Sequence, residues 1–258
     1  MTLALDLPPA PPRLESPRAL ARVRTTAWVH RSLYCPQCGR LRLEPTREGT
    51  PFRDFVCGGC REPFELKASR QPHGRRVAGG SLERYREALV RGTAPNLLLL
   101  TYDPDAARVR DLVAVNRLLI SPLAVIGRPR PLARNSPEPY YLCDLDLSGV
   151  PEAAKVPYLR SAHERPKRFV LDSWNRFRFL REPGSADEPD WIRDLLALIA
   201  RIPSREFTLD DLYGHEEALA RLHPRNRHIR AKIRQKLQVL VRRRILRRAA
   251  PGVYESIV

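Results

Sequence analysis

The chain has 258 residues, 43% of them hydrophobic and 29% charged, enough for one large domain or a medium domain with a small one, and two are expected. Its 46 Lys and Arg against 29 Asp and Glu leave a formal charge of +17, too concentrated along the chain to serve solubility alone, and nucleic acid is the partner such a balance implies. The longest apolar run, around residues 97–100, is too short to span a bilayer, and residues 1–10 carry no basic stretch ahead of their apolar ones, so neither a membrane anchor nor a signal peptide is expected.

Residues up to about 13 are Pro-rich and read as irregular. Ser16 followed by Pro17 predicts a helix over 17–30, with Leu20, Val23 and Trp28 available to a core. Four of the five cysteines then fall as Cys35-x2-Cys38, eighteen residues, Cys57-x2-Cys60. Each pair delivers two thiolates at the angle a tetrahedral Zn²⁺ needs, so the set predicts a closed, structural zinc site and a reducing, cytoplasmic setting. The fifth, Cys143, reads as a small buried hydrophobe.

Asp54 lies three residues before Cys57, and Glu65 and Lys67 lie five and seven after Cys60. A zinc loop would clamp residues 51–56 and 63–68 side by side as a hairpin. Alternate strand residues share a face, which puts Glu65 and Lys67 together and leaves Phe52, Phe55, Phe64 and Leu66 as the buried alternates. An Asp with Glu-x-Lys on the next strand is the constellation of metal-dependent phosphodiester cleavage. Asp54, Glu65 and the Leu66 carbonyl would hold one Mg²⁺, and Lys67 would orient the attacking water. The competing reading is a surface salt-bridge cluster.

Residues 70–80, rich in Gly and Arg, read as a loop. A helix over 81–90, strands over 96–102 and 112–115, a long connection over 121–139 and a strand over 140–147 follow. The order suggests an α/β sheet with Asp54, Glu65 and Lys67 at one edge. Linker-like composition at 181–189 divides the chain into domains 1–182 and 183–258.

The second domain reads as helical. A first helix starts at 189–191 with Leu195, Leu196, Leu198 and Ile199 on its apolar side and ends at Pro203. Thr208 caps a short helix through 213, and a third helix over 226–243 buries Ile229, Ile233, Leu237 and Leu240. A two-stranded wing around Pro251-Gly252 completes a winged helix-turn-helix. Residues 221–248 hold twelve Lys or Arg and no Asp or Glu. Arg225, Asn226, Arg227, His228 and Arg230 sit where a recognition helix meets base edges, and Arg242, Arg243, Arg244, Arg247 and Arg248 read as phosphate contacts. The alternative is non-specific phosphate binding by the whole segment.

Several stretches resemble one family specifically in kind, order and spacing: Trp28-Val29, Tyr34-Cys35-Pro36-x-Cys38-Gly39, Asp54-Phe55-x-Cys57-x-x-Cys60 and Phe64-Glu65-Leu66-Lys67. So do Asn96 with Leu100-Thr101-Tyr102, Glu206-Phe207-Thr208-Leu209-x-Asp211-x-Tyr213, and Asn226-x-His228-Ile229-x-x-Lys232-Ile233-Arg234-Gln235-x-Leu237-Gln238. From about residue 20 to the C-terminus the chain is similar to the DpnI-type restriction endonucleases. The resemblance implies a methyl-directed type II enzyme that cuts double-stranded DNA at N6-methyladenine-containing GATC sites. It implies an α/β, PD-(D/E)xK nuclease domain with an inserted four-cysteine zinc site, followed by a winged helix that also reads DNA. Carried over by position, Asp54, Glu65 and Lys67 are catalytic and Cys35, Cys38, Cys57 and Cys60 bind zinc; Tyr140 and, from the recognition-helix reading, Arg225, Asn226, Arg227, His228, Arg230 and Lys232 are expected to face DNA. Arg53 stands where the motif has a proline, and Tyr140 where the family has a tryptophan implicated in sensing the modified base. A monomer is expected. The rival from another class is a non-catalytic zinc-ribbon and winged-helix regulator, which would have no use for Glu65 and Lys67 on one face.

Overall fold

The computed structural model describes residues 3–9, 16–47, 50, 52–132, 140–182 and 188–257. Helix α1 (Pro17–Ser32) starts where Ser16 Oγ accepts from the Ala19 amide and Pro17 fills a first-turn position that needs no donor. Trp28 and Val29 are fully buried, whereas Val23, expected inside, is 38% exposed because it lies on the opposite side of the helix.

The first ten strands, in chain order, are β1 (Glu44–Pro45), β2 (Phe55–Val56), β3 (Pro63–Ser69), β4 (Arg76–Ser81), β5 (Asn96–Asp103), β6 (Arg108–Val115), β7 (Val125–Leu132), β8 (Tyr140–Asp146), β9 (Lys155–Arg160) and β10 (His163–Glu164). Seven form one mixed sheet in the order β1-β2-β3-β5-β6-β9-β10, with β3 and β5 parallel. The β3-to-β5 crossover carries α2 (Leu82–Val90). Strand β5 is buried on both faces, which is why it reads as an unbroken apolar run. Leu98 and Leu100 join one core with Trp28, Val29 and, from α3 (Lys167–Asn175), Val170 and Trp174. Leu97 and Leu99 join the other, with Tyr85 and Leu89 of α2.

Two stretches expected to be irregular are partly strand. Residues 76–81 form β4 and 125–132 form β7, and both pair with β8 in a second, antiparallel sheet, β4-β8-β7. Val77, Val125, Cys143 and Leu145 point its inner face into the core. The prolines that disguised β7 sit on an edge strand, where the register shifts between Gly127 and Pro131 and a missing amide is tolerated. Cys143 is fully buried, and a side chain at Gly79 would meet its Sγ at 2.5 Å, so the two strands need glycine there.

Beyond residue 188 come α4 (Glu188–Ile199), β11 (Glu206–Thr208), α5 (Leu209–Tyr213), α6 (Glu216–Leu222), α7 (Ile229–Arg242), β12 (Leu246–Ala250) and β13 (Val253–Ser256). Thr208 and Asp211 close a reciprocal capping box on α5. The wing has three strands, β11-β13-β12, one more than expected, and α6 is an additional short helix. Helix α7 begins three residues later than its pattern suggested, because Asn226 Oδ1 accepts from the His228 amide and holds residues 226–228 in a turn.

The helical segment shares the core of the second sheet: Ile192, Leu195 and Leu196 of α4 and Ile233 and Leu237 of α7 are continuous with Leu145 and Val125. Buried Asp194 fastens this joint. Its Oδ1 accepts from Ser121 Oγ (2.7 Å) and Arg193 Nε (2.9 Å), and its Oδ2 lies 3.0 Å from His223 Nε2, whose ring stacks on Trp191 at 4.0 Å. Burial alone would raise the Asp194 pKa, but His223, Arg193 and Ser121 outweigh it and hold the carboxyl below its ordinary range. Among the described residues no helix is long and apolar enough to cross a membrane.

Candidate functional site

The two cysteine pairs build matching knuckles. The Gly39 amide donates to the Cys35 carbonyl and the Arg61 amide to the Cys57 carbonyl, each at 2.9 Å, and both closing residues take left-handed conformations, φ +75° at Gly39 and 62° at Arg61. The four Sγ atoms lie within 4.8 Å of one another, with Cys35 to Cys60 at 3.5 Å and Cys38 to Cys57 at 3.6 Å. Four thiolates around zinc at ~2.3 Å would stand roughly 3.8 Å apart, so the set fits that ion. Burial pushes the Cys35 thiol far up and the Cys60 thiol to about 11, so a cation is what would hold four thiolates together there.

The knuckles carry β2 and β3, and with them the carboxylates. Phe55 and Val56 pair with Phe64 and Pro63, and β2 then ends, leaving the outer edge of β3 open from Glu65 onward. Asp54 occupies that edge. Its amide donates to the Phe64 carbonyl (2.9 Å), and its Oδ2 accepts from the Leu66 amide (2.7 Å). A residue's N–H and C=O point to the same edge of a strand, so the Leu66 carbonyl opens on the Asp54 side. Glu65 and Lys67 share the face turned toward Tyr85 and Cys143, and Lys67 Nζ donates to Glu65 Oε1 at 2.5 Å. Phe55 and Phe64 are the buried alternates as expected. Leu66 is only half-buried, and Phe52, with φ 56°, turns instead to stack edge-on against Tyr85 in the opposite core.

Glu65 is almost entirely buried, and burial raises its pKa, an effect that Lys67 offsets and the Asp54 charge reinforces. Its Oε2 is buried without a hydrogen-bond partner, and Asp54 Oδ1 has none among the described residues. Two unspent carboxylate oxygens beside an outward main-chain carbonyl form an oxygen donor set of the kind hard divalent cations prefer. Asp54 and Glu65 open into a cleft of about 660 Å³ whose other wall is α1, with Arg18 and Arg22.

The DpnI, Dam-replacing family model matches residues 13–183, and the Dam-replacing HTH domain model matches residues 187–256. The chain belongs to the Dam-replacing family. Membership in this DpnI family implies a methyl-dependent restriction endonuclease that binds DNA through a helix-turn-helix.

In this Dam-replacing chain the groups expected to face DNA are unevenly placed. Arg225, Arg227 and His228 are exposed in the turn before α7, and Lys232 is half-buried on the helix. Asn226 spends its oxygen on the His228 amide, leaving only its amide nitrogen to donate. Arg230 pairs with Glu216 at 2.7 Å and lies over the Tyr213 ring at 4.9 Å, while Arg234 donates to the Tyr213 hydroxyl. Arg243 and Arg247, read as phosphate contacts, pair with Glu182 and Glu255. Tyr140, 44% exposed, begins β8, and strand alternation places it on the face opposite Cys143.

One residue important to the site escaped the sequence reading. Glu62, two residues after Cys60, is buried and accepts from Asn96 Nδ2 (2.9 Å), Arg117 Nε (3.3 Å) and Arg181 Nη1 (2.5 Å). Burial would raise its pKa, but Arg181 and Arg117 bring it down to about 2. It ties the second knuckle to the start of β5 and to residues 178–181. Its only sequence signal is position, a lone acid between Arg61 and Pro63. Glu62→Ala would leave the half-buried Arg117 and the partly exposed Arg181 without their shared carboxylate and should cost about 1.5 to 3 kcal/mol, the range of hydrogen bonds to charged groups, read as a lower urea midpoint. A loss below about 1 kcal/mol, the size of an exposed pair, would show that the network does not hold the fold.

Proposed function

We propose that the chain is a Mg²⁺-dependent type II restriction endonuclease that hydrolyses phosphodiester bonds in double-stranded DNA at N6-methyladenine-containing GATC sites. In this reading residues 1–182 are a PD-(D/E)xK catalytic domain with a structural Zn²⁺ on Cys35, Cys38, Cys57 and Cys60, and residues 183–258 are the winged-helix reader. The observation that carries it is the hydrogen bond from the Leu66 amide to Asp54 Oδ2, which fixes Asp54 beside Glu65 and the Leu66 carbonyl at the open edge of β3.

Asp54 Oδ1, Glu65 Oε2 and the Leu66 carbonyl would hold Mg²⁺, which when bound polarises the scissile phosphate and lowers the pKa of a water. Asp54 stays oriented because its other oxygen is engaged by backbone. Glu65 is aimed by burial and by its ion pair with Lys67, which leaves its Oε2 without a partner. The Lys67 ammonium positions the nucleophilic water and offsets the negative charge that grows on the phosphorus oxygens as the water oxygen bonds to phosphorus and the sugar oxygen leaves. One catalytic edge per monomer would cut the two strands in succession.

The adenine methyl is one apolar group in the major groove, worth only about 1 to 3 kcal/mol in a single pocket. Reading it in both the catalytic domain, where Tyr140 stands, and the winged helix, at Arg225, Asn226, Arg227, His228, Arg230 and Lys232, would multiply the discrimination. Incubation with Mg²⁺ and plasmid from adenine-methylating and non-methylating hosts tests this. The expected result is discrete fragments from the methylated plasmid alone. Equal cutting of both would remove methyl dependence, and no cutting of either would favour the non-catalytic regulator.

A further inference from the structure

We propose that six exposed arginines, Arg18, Arg22 and Arg70 on one side of Asp54 and Arg47, Arg53 and Arg61 on the other, form a continuous track for the duplex DNA backbone across the catalytic edge. The inference rests on the nuclease reading only for the role of the carboxylates between the two halves. Arg18, Arg22 and Arg70 line the cleft of about 660 Å³ that also contains Asp54 and Glu65. Arg47, Arg53 and Arg61 line a neighbouring cleft of about 550 Å³. Among the described residues neither cleft holds any acid other than Asp54 and Glu65.

Among the described residues none of the six is paired with a carboxylate, although other exposed arginines of the chain find one, as Arg91 does Glu87 and Arg168 does Asp172. Unpaired like charges gathered around two carboxylates repel one another and stabilise nothing inside the protein. They make sense when phosphates lie between them.

The scaffold under them is fixed. Arg18 and Arg22 are one turn apart on α1, whose continuation buries Thr25, Trp28 and Val29. Arg70 directly follows β3, where the Gln71 amide donates to Ser69 Oγ. The Thr46 amide donates to the Asp54 carbonyl and its hydroxyl to the Arg53 carbonyl, so the backbone that carries Arg53 also carries the catalytic aspartate. The residue that replaces the motif's proline is thus placed to grip the phosphate next to the one being cut.

The test is the salt dependence of duplex binding by the full-length protein, followed by fluorescence anisotropy in Ca²⁺ between roughly 50 and 300 mM KCl. The doubles Arg18→Ala/Arg22→Ala and Arg47→Ala/Arg53→Ala should each reduce the slope of log K against log salt by about 1.8, two contacts at ~0.9 each, and weaken binding about tenfold at low salt. The loss should be equal on methylated and unmethylated duplexes, since phosphates carry no sequence information. Arg168→Ala, on the exposed surface of α3, should change nothing.

Unchanged slopes in either double overturn the two-sided track, as does a loss confined to methylated DNA. If the nuclease reading alone is wrong, neither plasmid is cut while both slopes still fall; if the track alone is wrong, methylated plasmid is cut and the slopes match the parent's.

Discussion

Alanine in place of Lys67 should slow DNA cleavage by roughly 10² to 10³ while leaving affinity for the duplex within a few-fold, as expected when one preorganised charge is removed from a developing anion. The structure separates the two effects. Among the described residues Lys67 pairs with Glu65 alone and is not one of the arginine-track cations. Removing it also takes away the charge that offsets burial at Glu65, so the carboxyl becomes harder to ionise, and Mg²⁺ affinity should fall with the rate. Single-turnover cleavage across a Mg²⁺ titration, set beside anisotropy in Ca²⁺, reads both. Full-speed digestion by the variant would sink the nuclease assignment. A parallel loss of rate and duplex affinity would instead make Lys67 a simple phosphate contact.

How much of this site was legible in the sequence depends on whether a residue's role is set locally. The knuckles are local: four cysteines, a glycine at the left-handed position and short loops suffice, and the structure brings the thiols together as their spacing implies. Glu65 and Lys67 share a face because strand alternation requires it. Asp54 is nearly as local, since the zinc loop returns its strand to β3. Phe52 is not. It lies on the same short segment, but a left-handed backbone turns it into the opposite core, and nothing in its neighbours announces that.

The second sheet was hidden for a related reason. Strands β4 and β7 alternate weakly, are interrupted by glycine or proline, and become strands only because β8 lies between them with Val77, Val125, Cys143 and Leu145 facing inward. Glu62 and Asp194 are the extreme cases, since the partners of Glu62 are 34 to 119 residues away along the chain and Asp194 reaches back 73 residues to Ser121. The basic run at 221–248 is less free of acids in space than it is along the chain. The acids that answer Arg230, Arg243 and Arg247 lie outside that run, at Glu216, Glu182 and Glu255.

Stripping the metal, or replacing Cys57 with alanine, should abolish cleavage and loosen one core while sparing the other. Structural zinc sites supply about 10 to 16 kcal/mol of apparent binding free energy, comparable with the whole stability of a domain at roughly 5 to 15 kcal/mol, so the region built on the ion cannot survive its loss intact. That region is defined. Cys35 and Cys57 lie in the core formed by α1, α3 and one face of the seven-stranded sheet, with Phe55, Phe64, Trp28 and Trp174. Trp174 reports on it directly, since its Nε1 donates to Gln37 Oε1 inside the first knuckle. Trp191 belongs to the other core, with α4 and the second sheet. Of the three tryptophans, two should therefore become accessible to a quencher when the metal leaves, and Trp191 should stay protected. The intact protein should contain one zinc per chain by elemental analysis. The decisive comparison is a Trp28→Phe/Trp174→Phe protein, whose remaining indole should show little response to chelation, against a Trp191→Phe protein, whose remaining pair should respond fully. Metal loss with unchanged fluorescence and undiminished digestion would mean that the thiolate cluster does not hold Asp54 against β3, and the hairpin would need another explanation.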